Sequence, residues 1–226
     1  MSIANHSGKS LFMPLEDKLR QLLLPHVPAW CGTRVLTMLS LLWSAGVVLA
    51  FRFNYIIIVI ALVWAQYVTD MMDGAVGRAR KEGWVRWGYF MDHLLDYVFV
   101  GAMFVGYAIW FPTESTIWVM CIFIIAAGFM VTIFLLTAAT GNLRIHFFGV
   151  GPTEFRLFFT LLQIRLIVVG PVRASHLLPL QLVAFSVVLI ALVVYCQRAL
   201  AVLDVKDAQV ATTSGREAFG GERERE

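Results

Sequence analysis

The sequence predicts an all-α fold, a polytopic bundle of six transmembrane helices, and three observations carry that prediction. Of 226 residues, 59% are hydrophobic and 15% are charged, whereas soluble domains run roughly 45–50% apolar and about 25% charged. Mean hydropathy is +0.76. The apolar residues also fall into six long runs, each near the ~20 residues that carry a helix across a bilayer.

The runs are Val35–Phe51, Tyr55–Val68, Gly88–Phe111, Thr116–Ala139, Glu154–Val169 and Leu180–Leu203. The second and fifth are short and need flanking residues to cross fully. Ahead of them, "MPLEDKLRQLLLPHV" sets Leu15, Leu19, Leu22 and Leu23 at helical spacing, with Glu16, Asp17, Lys18 and Arg20 elsewhere on the turn. That pattern suits an amphipathic helix lying in the membrane interface. The last stretch, "TTSGREAFGGERERE", is polar and charge-rich and reads as a disordered tail. The chain therefore divides into an N-terminal segment (1–30), a six-helix transmembrane domain (31–203) and a tail (204–226). No secretory signal is read, because the first strongly apolar run begins late and the stretch before it is polar.

Basic residues give the orientation. Lys9, Lys18, Arg20 and Arg34 precede the first run, and Arg78, Arg80, Lys81 and Arg86 lie between the second and third. Arg144 and Arg156 flank the loop before the fifth, while the opposite loops carry only Arg52 and Arg173. The positive-inside rule puts both termini and the second loop in the cytoplasm. The net charge of +3 is thus local to the membrane surface and is no nucleic-acid footprint. Cys31, Cys121 and Cys196 have no paired spacing. They read as packing residues, with no zinc site or disulfide framework.

The chemistry concentrates in "DMMDGAVGRARKEGWVRWGYFMDHLLD", Asp70 to Asp96, where two apolar runs meet. Asp70 and Asp73 share a helix face at three-residue spacing, and Gly88, Asp92 and Asp96 share one at steps of four. The intervening "GAVGRARKEGWVRWG" reads as a connection between antiparallel helices, so the two pairs converge. Converging carboxylates repel one another and lose hydration, and a divalent cation relieves both costs. Oxygen-only ligands favour Mg²⁺, Mn²⁺ or Ca²⁺ over zinc or copper. Two such ions about 3.5–4 Å apart suit a phosphoryl centre. Gly74 and Gly77 leave room for a ligand to approach the backbone. Arg78 offers phosphate a forked contact.

This stretch resembles the signature of the CDP-alcohol phosphotransferases, D-x2-D-G-x2-A-R-x8-G-x3-D-x3-D. Asp70, Asp73, Gly74, Arg78, Gly88, Asp92 and Asp96 match it in order. Gly77 stands where the family usually has alanine, and the interval from Ala79 to Trp87 is one residue longer than usual. Around the first run, "VLTMLSLL" is similar to the family's "LT" segment, with Thr37 as its best match. Thr33 and Arg34 replace the Pro-Asn often found there.

The resemblance implies a reaction in which an alcohol attacks the β-phosphorus of a CDP-linked donor and CMP leaves. It implies two divalent ions, Mg²⁺ or Mn²⁺, held by Asp70, Asp73, Asp92 and Asp96, with Asp96 also the general base for the alcohol. It assigns Asp70, Gly74, Gly77, Arg78 and Thr37 to the nucleotide and its phosphates. CDP-diacylglycerol is the donor that most small members use, a small polar alcohol the acceptor, and a homodimer the assembly. CDP-choline or CDP-ethanolamine with a lipid-alcohol acceptor is the alternative.

Other polar residues allow two readings each. In "GNLRIHFFGVGPTEFRLFF", Arg144, His146, Glu154 and Arg156 are either acceptor contacts or anchors of the span ends. His93 falls off the aspartate face and reads as a supporting residue. Arg165, inside the fifth run, is either a functional charge or a snorkelling anchor. A divalent-cation transporter is the competing class. It is disfavoured because the carboxylates cluster at one membrane face and no acidic residue continues a path across the other spans.

Overall fold

The computed structural model describes residues 13–140 and 152–223, and every element among them is helical. The elements are α1 (Met13–Leu23), α2 (Thr33–Arg52), α3 (Ile56–Arg80), α4 (Val85–Trp110), α5 (Thr116–Thr140), α6 (Pro152–Val169), α7 (Pro171–Ser175) and α8 (Leu178–Arg223). Single 3₁₀ turns follow α1 and precede α5. Five helices, α2, α3, α4, α5 and the first part of α8, are long and apolar enough to cross a membrane. The expected fifth span, α6, has 18 residues and includes the apolar stretch Phe159–Val169. Among the described residues five helices thus qualify as full spans, and α6 stands at the position of the remaining expected one.

Two helices run well past the apolar boundaries. The second span continues as α3 through Gly74, Gly77 and Arg78 to Arg80, so most of the expected connection is helix. Its hydropathy falls there, yet each added residue gains a backbone hydrogen bond on an existing helix. The true connection is residues 81–84. Lys81 closes α3 with φ 54° and Gly83 turns the chain with φ 76°, a left-handed value that glycine adopts without a Cβ penalty. Similarly, α8 extends to Arg223, through the segment expected to be disordered.

The core sits where α2 packs along both α3 and α4, while α5 packs on α8. Val47, Phe51, Val59, Phe104 and Tyr107 are buried there. The Phe51 ring packs against Gly106, whose missing side chain makes the approach possible. A Cβ at Gly128 would lie 2.8 Å from Leu189 Cδ2, so this glycine closes the α5–α8 contact in the same way.

α1 packs Leu19 and Leu23 onto the cluster of Leu36, Tyr67 and Met72, while Leu15 and Leu22 stay exposed. That division fits a helix with one face on protein and the other at a lipid surface. Arg80 fixes the segment after it. Its guanidinium donates to the carbonyls of Val27 (2.8 Å) and Cys31 (3.1 Å). α2 starts at Gly32, which has no side chain to cap the helix, and Glu82 supplies the cap by accepting from the Thr33 N–H at 3.0 Å. The 81–84 connection thereby holds the start of α2 against the end of α3.

Candidate active site

Antiparallel α3 and α4 bring their aspartates together at one end of the bundle. One oxygen each of Asp70, Asp92 and Asp96 lies within 4.8 Å of the others. Three carboxylates from two helices, offering only oxygen, fit a hard divalent cation. Asp73 is placed differently. It points toward α2, and Thr37 Oγ1 lies 2.6 Å from its Oδ2. The hydroxyl is also 2.8 Å from Thr33 O, and its one proton goes to the charged acceptor. Asp73 Oδ1 is buried and has no hydrogen-bond partner among the described residues. A buried carboxylate oxygen left bare in this way fits a position facing a cation.

A polar chain across three helices holds the other aspartates. Gln66 is 2% exposed. Its Nε2 donates to Asp96 Oδ1 at 3.0 Å, and its Oε1 accepts from Arg156 Nη2 at 3.0 Å. Only one amide orientation satisfies both ends, since a flip would set oxygen against carboxylate and NH₂ against guanidinium. Arg156 Nη2 also donates to Asp70 Oδ2 at 2.9 Å, and its guanidinium lies 4.8 Å from the Tyr67 ring centroid. Trp64 Nε1 donates to Thr160 Oγ1 at 3.1 Å, which fastens α6 to α3 one turn beyond Arg156.

Among the residues singled out in the sequence, Arg156 thus reaches the aspartates directly. Arg144 and His146 lie outside the described residues. Glu154 is in the first turn of α6, but its side chain is not among those described. Thr37 is buried and supports Asp73. Arg78 is exposed beside Gly74, where a Cβ would lie 3.1 Å from its Nη1. His93, expected off the aspartate face, sits between Tyr89 and Phe134 with Nδ1 3.4 Å from Asp92 Oδ2.

Gln66 and Glu82 are the residues that sequence reasoning missed. The signal for Gln66 was a lone amide in an apolar run, one helical turn before Asp70. Glu82 carried no local signal, because its partner is far away in sequence.

An apolar cavity of about 320 Å³ opens on Gln66, Asp96 and Arg156 and runs into the bundle between α3, α4, α5, α6 and α8. Arg165 lines one wall while remaining solvent-accessible, the arrangement of a long side chain that covers apolar surface with its stem.

Comparison with known proteins agrees with the signature. A family model described as CDP-alcohol phosphatidyltransferase matches residues 31–206. No curated protein and no solved structure matches the chain. The matched region includes α2 to α6, all four aspartates and the transmembrane part of α8. The chain belongs to the CDP-alcohol phosphatidyltransferase family.

Proposed function

We propose that this chain transfers the phosphatidyl group of CDP-diacylglycerol to a small polar alcohol, releasing CMP, in phospholipid synthesis. The observation that carries the reading is the convergence of Asp70, Asp92 and Asp96, with Asp73 one helical turn away and one of its oxygens bare. Two divalent ions, Mg²⁺ or Mn²⁺, held by these four carboxylates would neutralise charge on the pyrophosphate and on departing CMP.

The protein's own groups do the rest. Asp96 takes the proton of the attacking hydroxyl. Gln66 fixes one Asp96 oxygen, and the Asp96 carboxylate stays close to those of Asp70 and Asp92. Arg156 balances Asp70 and places a positive charge where a substrate phosphate would sit. Exposed Arg78, with Gly74 and Gly77, receives the nucleotide side, and Thr37 acts there through Asp73. Glu154 and Arg144 belong to the acceptor side. Both termini and the site face the cytoplasm, and the protein works as a homodimer in the bilayer.

One observation favours a second reading, a CDP-choline or CDP-ethanolamine donor with a lipid-alcohol acceptor. The apolar cavity opens on Asp96, where an acceptor hydroxyl would sit. Product analysis separates the two. Purified protein with CDP-diacylglycerol, Mg²⁺ or Mn²⁺ and a panel of glycerol phosphate, serine and inositols should yield one new phospholipid. A product formed only from CDP-choline and diacylglycerol would replace the first reading with the second. No product from either, with Mn²⁺ uptake into liposomes, would make the protein a transporter.

A further inference from the structure

The cavity that opens on Asp96 has the dimensions and lining of a site for one lipid chain. Its mouth is polar, formed by Gln66, Asp96 and Arg156, and its walls are mostly apolar, with Arg165 and Gln181 the exceptions. Asp96 and Tyr107 both line it and lie three turns apart on α4. That separation is about 16 Å at ~1.5 Å per residue. One leaflet supplies about half of a ~30 Å hydrocarbon core, so a single chain is of similar length. The floor, Phe111, Val119, Ala174 and Leu178, is buried. Aliphatic and aromatic walls of this kind exclude water and accept apolar guests. The polar mouth excludes a ligand that is apolar throughout, because Asp96 and Arg156 would then face hydrocarbon.

We infer that the cavity takes one alkyl chain of the lipid substrate and that its floor limits the chain's length. The inference rests on the phosphotransferase reading above. The chain belongs either to the donor's diacylglycerol or to a lipid-alcohol acceptor, and in both cases its polar end sits at Asp96 and Arg156. The enzyme would then measure its substrate inside the bundle, not at the lipid-facing surface.

The test narrows the cavity halfway along with Ala126→Phe and at the floor with Ala174→Leu, in the full-length protein in detergent. CMP release is measured with eight-carbon and sixteen-carbon chains. One arm varies the chain on CDP-diacylglycerol, and the other varies it on diacylglycerol supplied with CDP-choline. Ala126→Phe should lower the sixteen- to eight-carbon ratio of kcat/KM by tenfold or more in one arm, and that arm identifies which substrate owns the chain. Ala174→Leu should do so more weakly, and it decides the matter if Ala126→Phe does not fold. A second readout needs no turnover. Phosphatidic acid with a terminal diazirine on a sixteen-carbon chain should photolabel the Met103 and Val119 regions in the native protein and not in the Ala126→Phe variant. Equal losses for both chain lengths in a monodisperse variant would overturn the inference, as would labelling that avoids the floor. If no substrate pair releases CMP, the phosphotransferase reading fails, and photolabelling alone decides what the cavity holds.

Discussion

A Cβ at Gly77 would lie 2.6 Å from Thr33 Oγ1. Both residues depart from the family pattern, Gly77 standing for alanine and Thr33 for the first residue of the usual Pro-Asn. The contact makes them one change, since the threonine hydroxyl fills the space an alanine methyl would need. That hydroxyl lies 3.2 Å from the carbonyl of Asp73, so the pair also fixes the backbone under an aspartate of the site.

Gly77→Ala should therefore destabilise the protein by about 1–3 kcal/mol, the usual cost of overpacking. Adding Thr33→Ala should return part of that loss, although Thr33→Ala alone costs about 1 kcal/mol through its lost hydrogen bond. Thermal unfolding of the two single variants and the double variant measures the coupling. Strict additivity would show that the two departures are independent.

Gln66→Met keeps the volume of the side chain and removes both of its hydrogen bonds. Hydrogen bonds to charged groups contribute about 1.5–3 kcal/mol. The variant should lose roughly 10- to 100-fold in kcat, at ~1.4 kcal/mol per decade, with a smaller change in KM. A purely structural role would instead lower thermal stability and leave kcat of the surviving protein unchanged.

Arg156→Gln separates two roles of one cation. Removing the positive charge makes the aspartate cluster more negative, so Mn²⁺ should bind more tightly, by about tenfold or more. Activity should nevertheless fall, because the phosphate contact is gone. Arg156→Lys should not fully restore it, since a compact ammonium lacks the planar guanidinium that lies over the Tyr67 ring while its Nη2 reaches Asp70 and Gln66. Asp70→Asn should shift Mn²⁺ binding the opposite way. Manganese titration by electron paramagnetic resonance reads all three.

Thr37→Val removes the only side chain that donates to Asp73 Oδ2 among the described hydrogen bonds. An uncompensated buried carboxylate costs about 1–3 kcal/mol or more. Added Mn²⁺ should recover more stability in this variant than in the native protein, which thermal unfolding with and without metal would detect.

Much of this was legible in the sequence because membrane helices write their hydropathy plainly. α2, α4 and α5 begin and end within about three residues of the apolar runs, well inside the accuracy expected of boundaries. The convergence of Asp70 with Asp92 and Asp96 followed from spacing on antiparallel helices. What escaped had physical reasons. The end of α3 is polar on one face, so hydropathy stopped at Val68 while the helix went on to Arg80. α6 carries Arg156 and Arg165, so its hydropathy marks it less plainly than the other spans. Arg156 meets Asp70 and Gln66 only through tertiary packing of α6 on α3, and no local pattern reports such a contact. Asp73 looked equivalent to Asp70 by spacing, and only the position of Thr37 on α2 sets it apart.

The central claim is that the aspartates of α3 and α4 form a metal-dependent phosphotransfer site. Its most direct test is CMP release from CDP-diacylglycerol as Mn²⁺ is titrated, for the native protein and for Asp96→Asn and Asp92→Asn purified beside it. The account predicts release that requires both metal and alcohol, is abolished by chelation, and falls by about 10²-fold or more in both folded variants. Release that persists in chelator, or that either substitution leaves intact, would contradict it.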